Sequence, residues 1–239
     1  MRLQRYYEVS QAQDLAGFHK SLVDFAAEID FGLFSAILVV ESPLEKKAPV
    51  FHAISNTPQA FMEAARDKGA IARDPVVKRM KTLSLPFTYD RDVYISGNAE
   101  DLWEEQAAFG YKVGIGVALH LPNHQHFLLS VDREAPLPIS GEKLSRLMAD
   151  LQLLAVHAQA AATRLMLPLI QSPIPQLSSR ELEILRWTKA GKTAWEIGQI
   201  LSLSESGVNY HLRSILMKLD AINKHQAVLR ALNIGLLDP

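Results

Sequence analysis

The C-terminal part of the chain contains the segment Ser204-Glu205-Ser206-Gly207-Val208-Asn209-Tyr210-His211-Leu212-Arg213-Ser214-Ile215-Leu216-Met217-Lys218-Leu219. Its apolar residues recur at helical spacing, which predicts an amphipathic helix with a buried stripe of Val208, Leu212, Ile215 and Leu219. Ser204 is a suitable N-cap for this helix. Asn209 and Arg213 lie off the stripe, and both residue types hydrogen-bond base edges. The segment therefore predicts one face for packing and one face for DNA.

Three further helices are predicted around this segment. Ser178 with Glu181 has the form of a capping box and precedes an apolar run that stops near Gly191. Thr193 with Glu196 repeats the box before a short second helix, and a last helix begins at Asn223. A short helix, a tight turn and a helix with a polar face form a helix-turn-helix, in which the second helix enters the major groove.

Residues 176–239 resemble the DNA-binding domain of the quorum-sensing LuxR family along nearly their whole length. The resemblance is carried by Leu177-Ser178-Ser179-Arg180-Glu181, Leu185, Trp187, Gly191-Lys192-Thr193, Glu196-Ile197, Ile200-Leu201, Ser204-Glu205-Ser206, Val208-Asn209, His211, Lys218-Leu219, Asn223-Lys224 and Ala227. Gly207 departs from the family, which usually has a hydroxyl residue there, and it costs about 1 kcal/mol of helix stability against Ala. A helical bundle that binds only protein is the alternative.

The expected DNA-binding residues combine the resemblance with this polar face. Asn209 and Arg213 are assigned to base edges, and the lysines to phosphates. The full set is Lys192, Thr193, Ser204, Ser206, Asn209, Tyr210, Arg213, Lys218 and Lys224. Residues 176–239 hold eight Lys and Arg against six Asp and Glu, so their net charge is only +2. Such a weak charge predicts that affinity depends on pairing two copies at an inverted repeat of double-stranded DNA.

The N-terminal region predicts an α+β fold. Strands are expected over 35–40 and 50–55, around Leu85–Tyr89, and as a hairpin over 113–121 and 127–131. Helices are expected before, between and after them, the first capped by Ser10 and the last running from Ser140 to about Leu165. We expect an α/β/α sandwich on an antiparallel sheet of about five strands, followed by a C-terminal four-helix helix-turn-helix domain. The domain boundaries are placed at 1–167 and 177–239, with a proline-broken linker over 168–176.

The LuxR family resemblance also implies a function for the N-terminal domain: a cavity that binds an N-acyl homoserine lactone. The residues implied in ligand binding are Thr57, Phe61, Asp74, Tyr89, Trp103 and Ser130. Asp74 fits two roles, that of the carboxylate that accepts the ligand amide N–H and that of an N-cap before Pro75. Phe61 stands where the family usually has a Trp donor, and Thr57 where a Tyr often donates, so the pocket is atypical.

Other chemistry is not indicated. The chain lacks the nucleophile-elbow, P-loop and H-E-x-x-H motifs, so we expect no enzyme and no cofactor. His120, His124 and His126 lie around the hairpin without a nearby carboxylate or thiolate in sequence, and no metal site is expected. Cysteine is absent, no signal peptide is evident and no apolar run is expected to reach membrane-spanning length, which predicts a cytoplasmic protein.

These observations together predict a homodimeric transcription regulator of the quorum-sensing type that is controlled by an acyl homoserine lactone or a related signal. The long helix over 140–166 and the final helix over 223–235 are expected to form the dimer contacts. Two alternatives stay open: a solo regulator that responds to another ligand or to none, and an anti-activator that pairs with a related regulator.

Overall fold

The computed structural model describes residues 3–41, 49–58, 72–137, 141–170 and 175–238. These residues form two compact units, one ending at Ile170 and the other made by residues 175–238. The first unit is an antiparallel sheet between helices, and the second is a helix-turn-helix domain, which confirms the predicted fold class. Phe61 lies outside the described residues, as do residues 171–174 of the expected linker.

Five antiparallel strands form the sheet, in the order β2-β1-β5-β4-β3. Their bounds are β1 Leu33–Val40, β2 Val50–Ser55, β3 Phe87–Tyr89, β4 Val113–Leu121 and β5 Gln125–Arg133. β4 and β5 form the predicted hairpin, with His120 paired to His126 near its tip. Because side chains alternate between the faces of a strand, even- and odd-numbered residues of β5 point to opposite helical layers.

The first helical layer covers one face of the sheet with α1 Leu3–Ser10, α2 Leu15–Glu28 and α6 Gly141–Ile170. The core between this layer and the sheet contains the fully buried side chains of Phe18, Phe34, Phe127, Leu129 and Leu154. Burying a side chain of this size stabilises the fold by about 1.5–3 kcal/mol. This core holds most of the large buried residues of the domain.

The second helical layer covers the opposite face, over β3, β4 and β5. It consists of α3 Pro75–Met80, α4 Arg91–Ser96 and α5 Glu100–Ala107. Its smaller core contains Val76, Met80, Phe87, Tyr89, Tyr94, Ala99, Leu102 and Ala118, with Leu128 and Trp103 packed against it. This face of the sheet also carries the polar residues described in the next subsection.

Two helix boundaries differ from the expectation. Asp14, rather than Ser10, caps α2, because its side chain accepts the backbone N–H of Gly17, and Ser10 ends α1. The helix α6 continues through Pro168 to Ile170, three residues into the expected linker. Pro168 lies in the last turn, so its missing N–H removes only one hydrogen bond from the helix.

The same helix α6 is long and apolar enough to cross a membrane, although no apolar run of that length was expected from the sequence. Its apolar residues, however, include a buried stripe with Leu151, Leu154, Ala158 and Met166, which belongs to the first core. Packing against the sheet therefore accounts for its composition.

The second unit contains α7 Ser179–Lys189, α8 Ala194–Leu201, α9 Glu205–Lys218 and α10 Lys224–Asn233. Both predicted capping boxes are present, Ser178 with Glu181 at α7 and Thr193 with Glu196 at α8. Ser204 caps α9 by accepting the backbone N–H of Gly207 at 3.1 Å. The core of this unit contains Ile184, Leu185, Ile197, Val208, Ile215, Leu219, Ala227, Ala231 and Leu237.

Candidate functional site

A polar cluster lies where the second helical layer meets the sheet. Asp74 caps α3, because its Oδ1 accepts the backbone N–H groups of Val76 at 2.7 Å and Val77 at 3.2 Å. Its other oxygen, Oδ2, lies 3.5 Å from the hydroxyl of Tyr94 and 3.4 Å from the amide nitrogen of Gln106. The N-cap role of Asp74 is therefore present, and its second oxygen faces the interior of the cluster. Burial raises the pKa of Asp74, although these hydrogen bonds oppose the shift.

Tyr89 and Asp132 form the buried centre of the cluster. The Tyr89 hydroxyl donates to Oδ1 of Asp132 at 2.7 Å, from β3 across β4 to β5. Gly114 makes this contact possible, because a Cβ at that position would lie 2.6 Å from Oδ1 of Asp132. Burial raises the pKa of Asp132 to about 7, a shift that the Tyr89 hydrogen bond opposes and the charge of Asp74 increases.

The sequence patterns did not identify Asp132 as a ligand-binding candidate, although they indicated Ser130 on the same strand. Both side chains lie on the face of the sheet toward the second helical layer, since Ser130 pairs with Gly116 and Asp132 with Gly114. Ser130 is half-buried, whereas Asp132 is 1% exposed. The two-residue alternation of β5, which places Asp132 on the same face as Leu128 and Ser130, is the signal that could have identified it.

Thr57 and Trp103 are engaged within the protein. The Thr57 hydroxyl lies 2.5 Å from the hydroxyl of Tyr111, a residue that the sequence did not single out. The indole N–H of Trp103 donates to the carbonyl of Lys112 at 3.1 Å. The side chain of Asn56 accepts the N–H of Phe34 and donates to the carbonyl of Gly32, each at 2.8 Å. The Asn56 bonds join the end of β2 to the start of β1.

In the second unit, the turn between α8 and α9 is tightly packed. Ser202 adopts a left-handed conformation at the end of α8, with φ of 54°. Gly198 is buried, and a Cβ there would lie 2.7 Å from the carbonyl oxygen of Leu203. This close approach of α8 to the turn sets the position of α9, as expected of a helix-turn-helix.

The outer face of α9 is polar and exposed. Val208 and Ile215 are buried, while Ser206, Asn209, Tyr210 and Arg213 are exposed along the opposite side. Tyr210 is 71% exposed, so its ring is available to a partner. Ser204 and Ser206 share a hydrogen bond of 3.0 Å at the N-terminus of the helix. The face that the sequence predicted for DNA is thus presented to solvent.

The predicted phosphate-binding lysines differ in their surroundings. Lys218 lies 2.7 Å from the carboxylate of Glu181, and Lys192 lies 3.1 Å from that of Glu196. Lys224 is exposed at the start of α10, and Thr193 is exposed at the start of α8. Lys192 and Lys218 are therefore ion-paired within the domain, whereas Lys224 is exposed in the first turn of α10.

Two of the three histidines of the hairpin are in contact with each other. The Nδ1 atoms of His120 and His126 lie 2.8 Å apart, so the two rings hydrogen-bond to each other. Nε2 of His126 lies 3.8 Å from the carboxylate of Glu41. Within the described ranges, no group of three or more His, Asp or Glu side chains is placed to hold a metal ion.

Comparisons with known families agree with both units. Residues 14–162 match the autoinducer binding domain, and residues 175–231 match the bacterial regulatory proteins of the luxR family. Transcriptional activator protein SolR of Ralstonia nicotianae is 32% identical, over 97% of this chain and 97% of its own length. Regulatory protein SdiA of Escherichia coli is 33% identical, over 89% of this chain and 86% of its own.

Solved structures give the same result. A crystal structure of Escherichia coli SdiA is similar with a TM-score of 0.77 at 30% identity, covering 96% of this chain and 94% of that one. SdiA in complex with octanoyl-rac-glycerol is similar with a TM-score of 0.80 at 28% identity, covering 98% and 93%. These relatives are transcription regulators rather than enzymes. The chain belongs to the LuxR family of quorum-sensing transcription regulators, with an autoinducer-binding domain followed by a LuxR-type DNA-binding domain.

Proposed function

We propose that this regulator is a cytoplasmic homodimer that binds an inverted repeat in double-stranded DNA under the control of an acylated small signal. The observation that carries the DNA-binding part is the exposed polar face of α9, with Asn209 and Arg213 opposite the buried Val208 and Ile215. Asn and Arg are suited to base edges in the major groove. Thr193, at the start of α8, and Ser204, Ser206 and Tyr210, at the start of α9 and along it, are exposed and are assigned to backbone contacts.

Pairing of two chains is supported by the apolar surface of α6. Leu153 is 39% exposed and Val156 is 49% exposed, although both belong to a helix whose other side is fully buried. With two recognition helices, half-sites about one helical turn apart follow from the geometry of the duplex. Residues 1–167 are assigned to signal binding and pairing, and residues 177–239 to DNA. Ligand binding to the folded N-terminal domain stabilises it by mass action.

A band-shift assay with Arg213→Ala tests the DNA-binding part. We expect a loss of sequence preference equivalent to about 1–3 kcal/mol, because Arg213 is assigned to a base edge. Arg180→Ala is the control, since Arg180 lies on α7 in an ion pair with Glu183 at 3.0 Å. An Arg213→Ala protein with unchanged sequence preference would contradict the assignment.

The chemistry of the signal has two candidates, an N-acyl homoserine lactone and an acyl compound without a lactone ring. Two groups assigned to the ligand, the Thr57 hydroxyl and the Trp103 indole N–H, already have partners in Tyr111 and Lys112. These contacts do not distinguish the two candidates, whereas the binding of octanoyl-rac-glycerol by the similar SdiA favours the second. Thermal unfolding with a panel of both compound classes distinguishes them, because the class that binds raises the melting temperature.

A further inference from the structure

Asp132 has an oxygen atom that the described protein leaves without a hydrogen bond. The residue is 1% exposed, and its Oδ1 accepts the Tyr89 hydroxyl at 2.7 Å. Its Oδ2 is buried and has no hydrogen-bond partner among the residues that the structure describes. Because burying an unpaired polar oxygen is costly, the atom marks a place for a hydrogen-bonding group from outside the protein.

Among the described residues, the titratable groups that interact electrostatically with Asp132 are three tyrosines and one aspartate. Tyr89 comes from β3, Tyr94 from α4 and Tyr111 from the segment before β4. Burial raises the pKa of each, and the charge of Asp132 raises it further. Asp74, at the start of α3, adds a negative charge that raises the pKa of Asp132 itself. Burial among neutral phenols and one carboxylate therefore favours the neutral carboxylic acid.

The position of the proton follows from the Tyr89 hydrogen bond. Oδ1 is occupied as an acceptor of the Tyr89 hydroxyl, so the neutral acid carries its proton on Oδ2. The group is then an O–H donor that points to no acceptor within the described residues. Asp74 differs, since its Oδ1 accepts two backbone N–H groups.

The neighbouring sheet residues are small. In the next row of the same face, Ser130 pairs with Ser35 on one side and Gly116 on the other, and Ser35 also pairs with Ser55. Ser35 and Ser130 are both only half-buried. The strand residues of this row are therefore small, while Met80 and Phe87 pack over Gly116.

We propose that Asp132 binds the carbonyl oxygen of an acylated ligand through its protonated oxygen Oδ2, so that ionisation of this carboxyl group weakens ligand binding. The inference rests on the proposed function, because it specifies how the acyl signal is held. An ester or amide carbonyl accepts the O–H of the neutral acid, whereas it is repelled by the carboxylate.

The test measures the affinity of the full chain for octanoyl-rac-glycerol and for N-octanoyl homoserine lactone by calorimetry at pH 6 and pH 8. With the pKa of Asp132 at about 7, we expect binding about tenfold weaker at pH 8. Octanoyl-rac-glycerol serves as the main probe at pH 8, since a lactone ring opens in base. Equal or tighter binding at pH 8 overturns the inference, and this measurement needs no variant.

Asp132→Asn then assigns the effect to this residue. Its amide N–H replaces the acid O–H as donor but does not titrate, so binding should persist with less than about a twofold change between the two pH values. Asp150→Asn is the matched control, because Asp150 accepts the Tyr6 hydroxyl at 2.9 Å on α6, and it should keep the wild-type pH dependence. An Asp132→Asn protein that keeps the tenfold loss overturns the inference.

Failure of the inference can be separated from failure of the proposed function. Each preparation is also assayed for selective DNA binding by band shift. If neither probe binds at any pH while DNA selectivity is intact, the role of Asp132 is overturned and the DNA-binding function stands. Loss of DNA selectivity in the wild-type protein at both pH values would overturn the proposed function itself.

Discussion

The ammonium group of Lys218, at the end of α9, lies 2.7 Å from the carboxylate of Glu181, in the first turn of α7. The same carboxylate accepts the Ser214 hydroxyl at 2.6 Å and the backbone N–H of Ser178 at 2.7 Å. The Glu181 side chain is only 5% exposed. One buried carboxylate thus connects the recognition helix to the helix that supports it, and a residue predicted to bind phosphate also has a structural role.

Glu181→Gln should destabilise the second unit by about 2–3 kcal/mol at neutral pH. Burial alone would raise the pKa of Glu181, but hydrogen bonds from Lys218, Ser214 and Ser178 outweigh it and lower the pKa from 4.5 to about 2. Because the folded pKa is the lower one, this stabilisation is present above pH 4.5 and is lost as the pH falls toward 2. Hydrogen exchange of the α7 and α9 amides as a function of pH measures it.

Glu196→Gln is the control for that substitution. Glu196 holds the equivalent place in the second capping box, but its side chain is 37% exposed. A Gln keeps the capping geometry in both variants, so the difference between them isolates the buried charge. Equal effects of the two substitutions would show that the buried Glu181–Lys218 pair stabilises the fold no more than the exposed Glu196–Lys192 pair.

Gly198→Ala should loosen the helix-turn-helix. The added methyl group would lie 2.7 Å from the carbonyl oxygen of Leu203, and this backbone atom cannot move without shifting the turn. We expect a loss of about 1–3 kcal/mol in urea unfolding, with weaker DNA binding. In Gly207→Ala, by contrast, the methyl group meets only the Ser204 hydroxyl, at 3.2 Å. That contact opposes a helix-propensity gain of about 1 kcal/mol, so stability should change little.

Lys224→Ala should weaken binding to all DNA sequences alike. Lys224 is exposed at the N-terminus of α10, and a phosphate contact releases counterions without reading bases. The slope of log affinity against log salt concentration should decrease by about 1. Lys218→Ala is compared with it, since removal of Lys218 also leaves Glu181 without its cation and should lower stability. A salt slope unchanged by Lys224→Ala would remove this residue from the interface.

Asn56→Asp should destabilise the N-terminal domain by about 1–3 kcal/mol. The Asn56 amide joins the ends of two strands, because it accepts from Phe34 N–H and donates to the Gly32 carbonyl. An Asp keeps the acceptor but places a carboxylate oxygen against that carbonyl. Thermal unfolding of the full chain checks the effect, and Asn98→Asp, in the turn after α4, serves as a surface control. Similar melting temperatures for both variants would contradict this role.

Much of the architecture followed from local patterns in the chain. Ser178 with Glu181 and Thr193 with Glu196 predicted helix starts correctly, because a capping box is satisfied by residues three positions apart. The stripe of Val208 and Ile215 likewise predicted which side of α9 is buried. Pro168 was expected to end the helix, but α6 continues through it, because a proline in the last turn of a helix removes a single hydrogen bond.

Local sequence was enough to specify the helices, the hairpin and the polar face of α9, because these depend on periodicity and capping over a few neighbouring residues. Tertiary structure alone brought Tyr89 to Asp132 and Lys218 to Glu181, pairs that are separated by 43 and 37 positions. A buried carboxyl group takes its charge state and its partners from the elements packed around it, and no local pattern contains them.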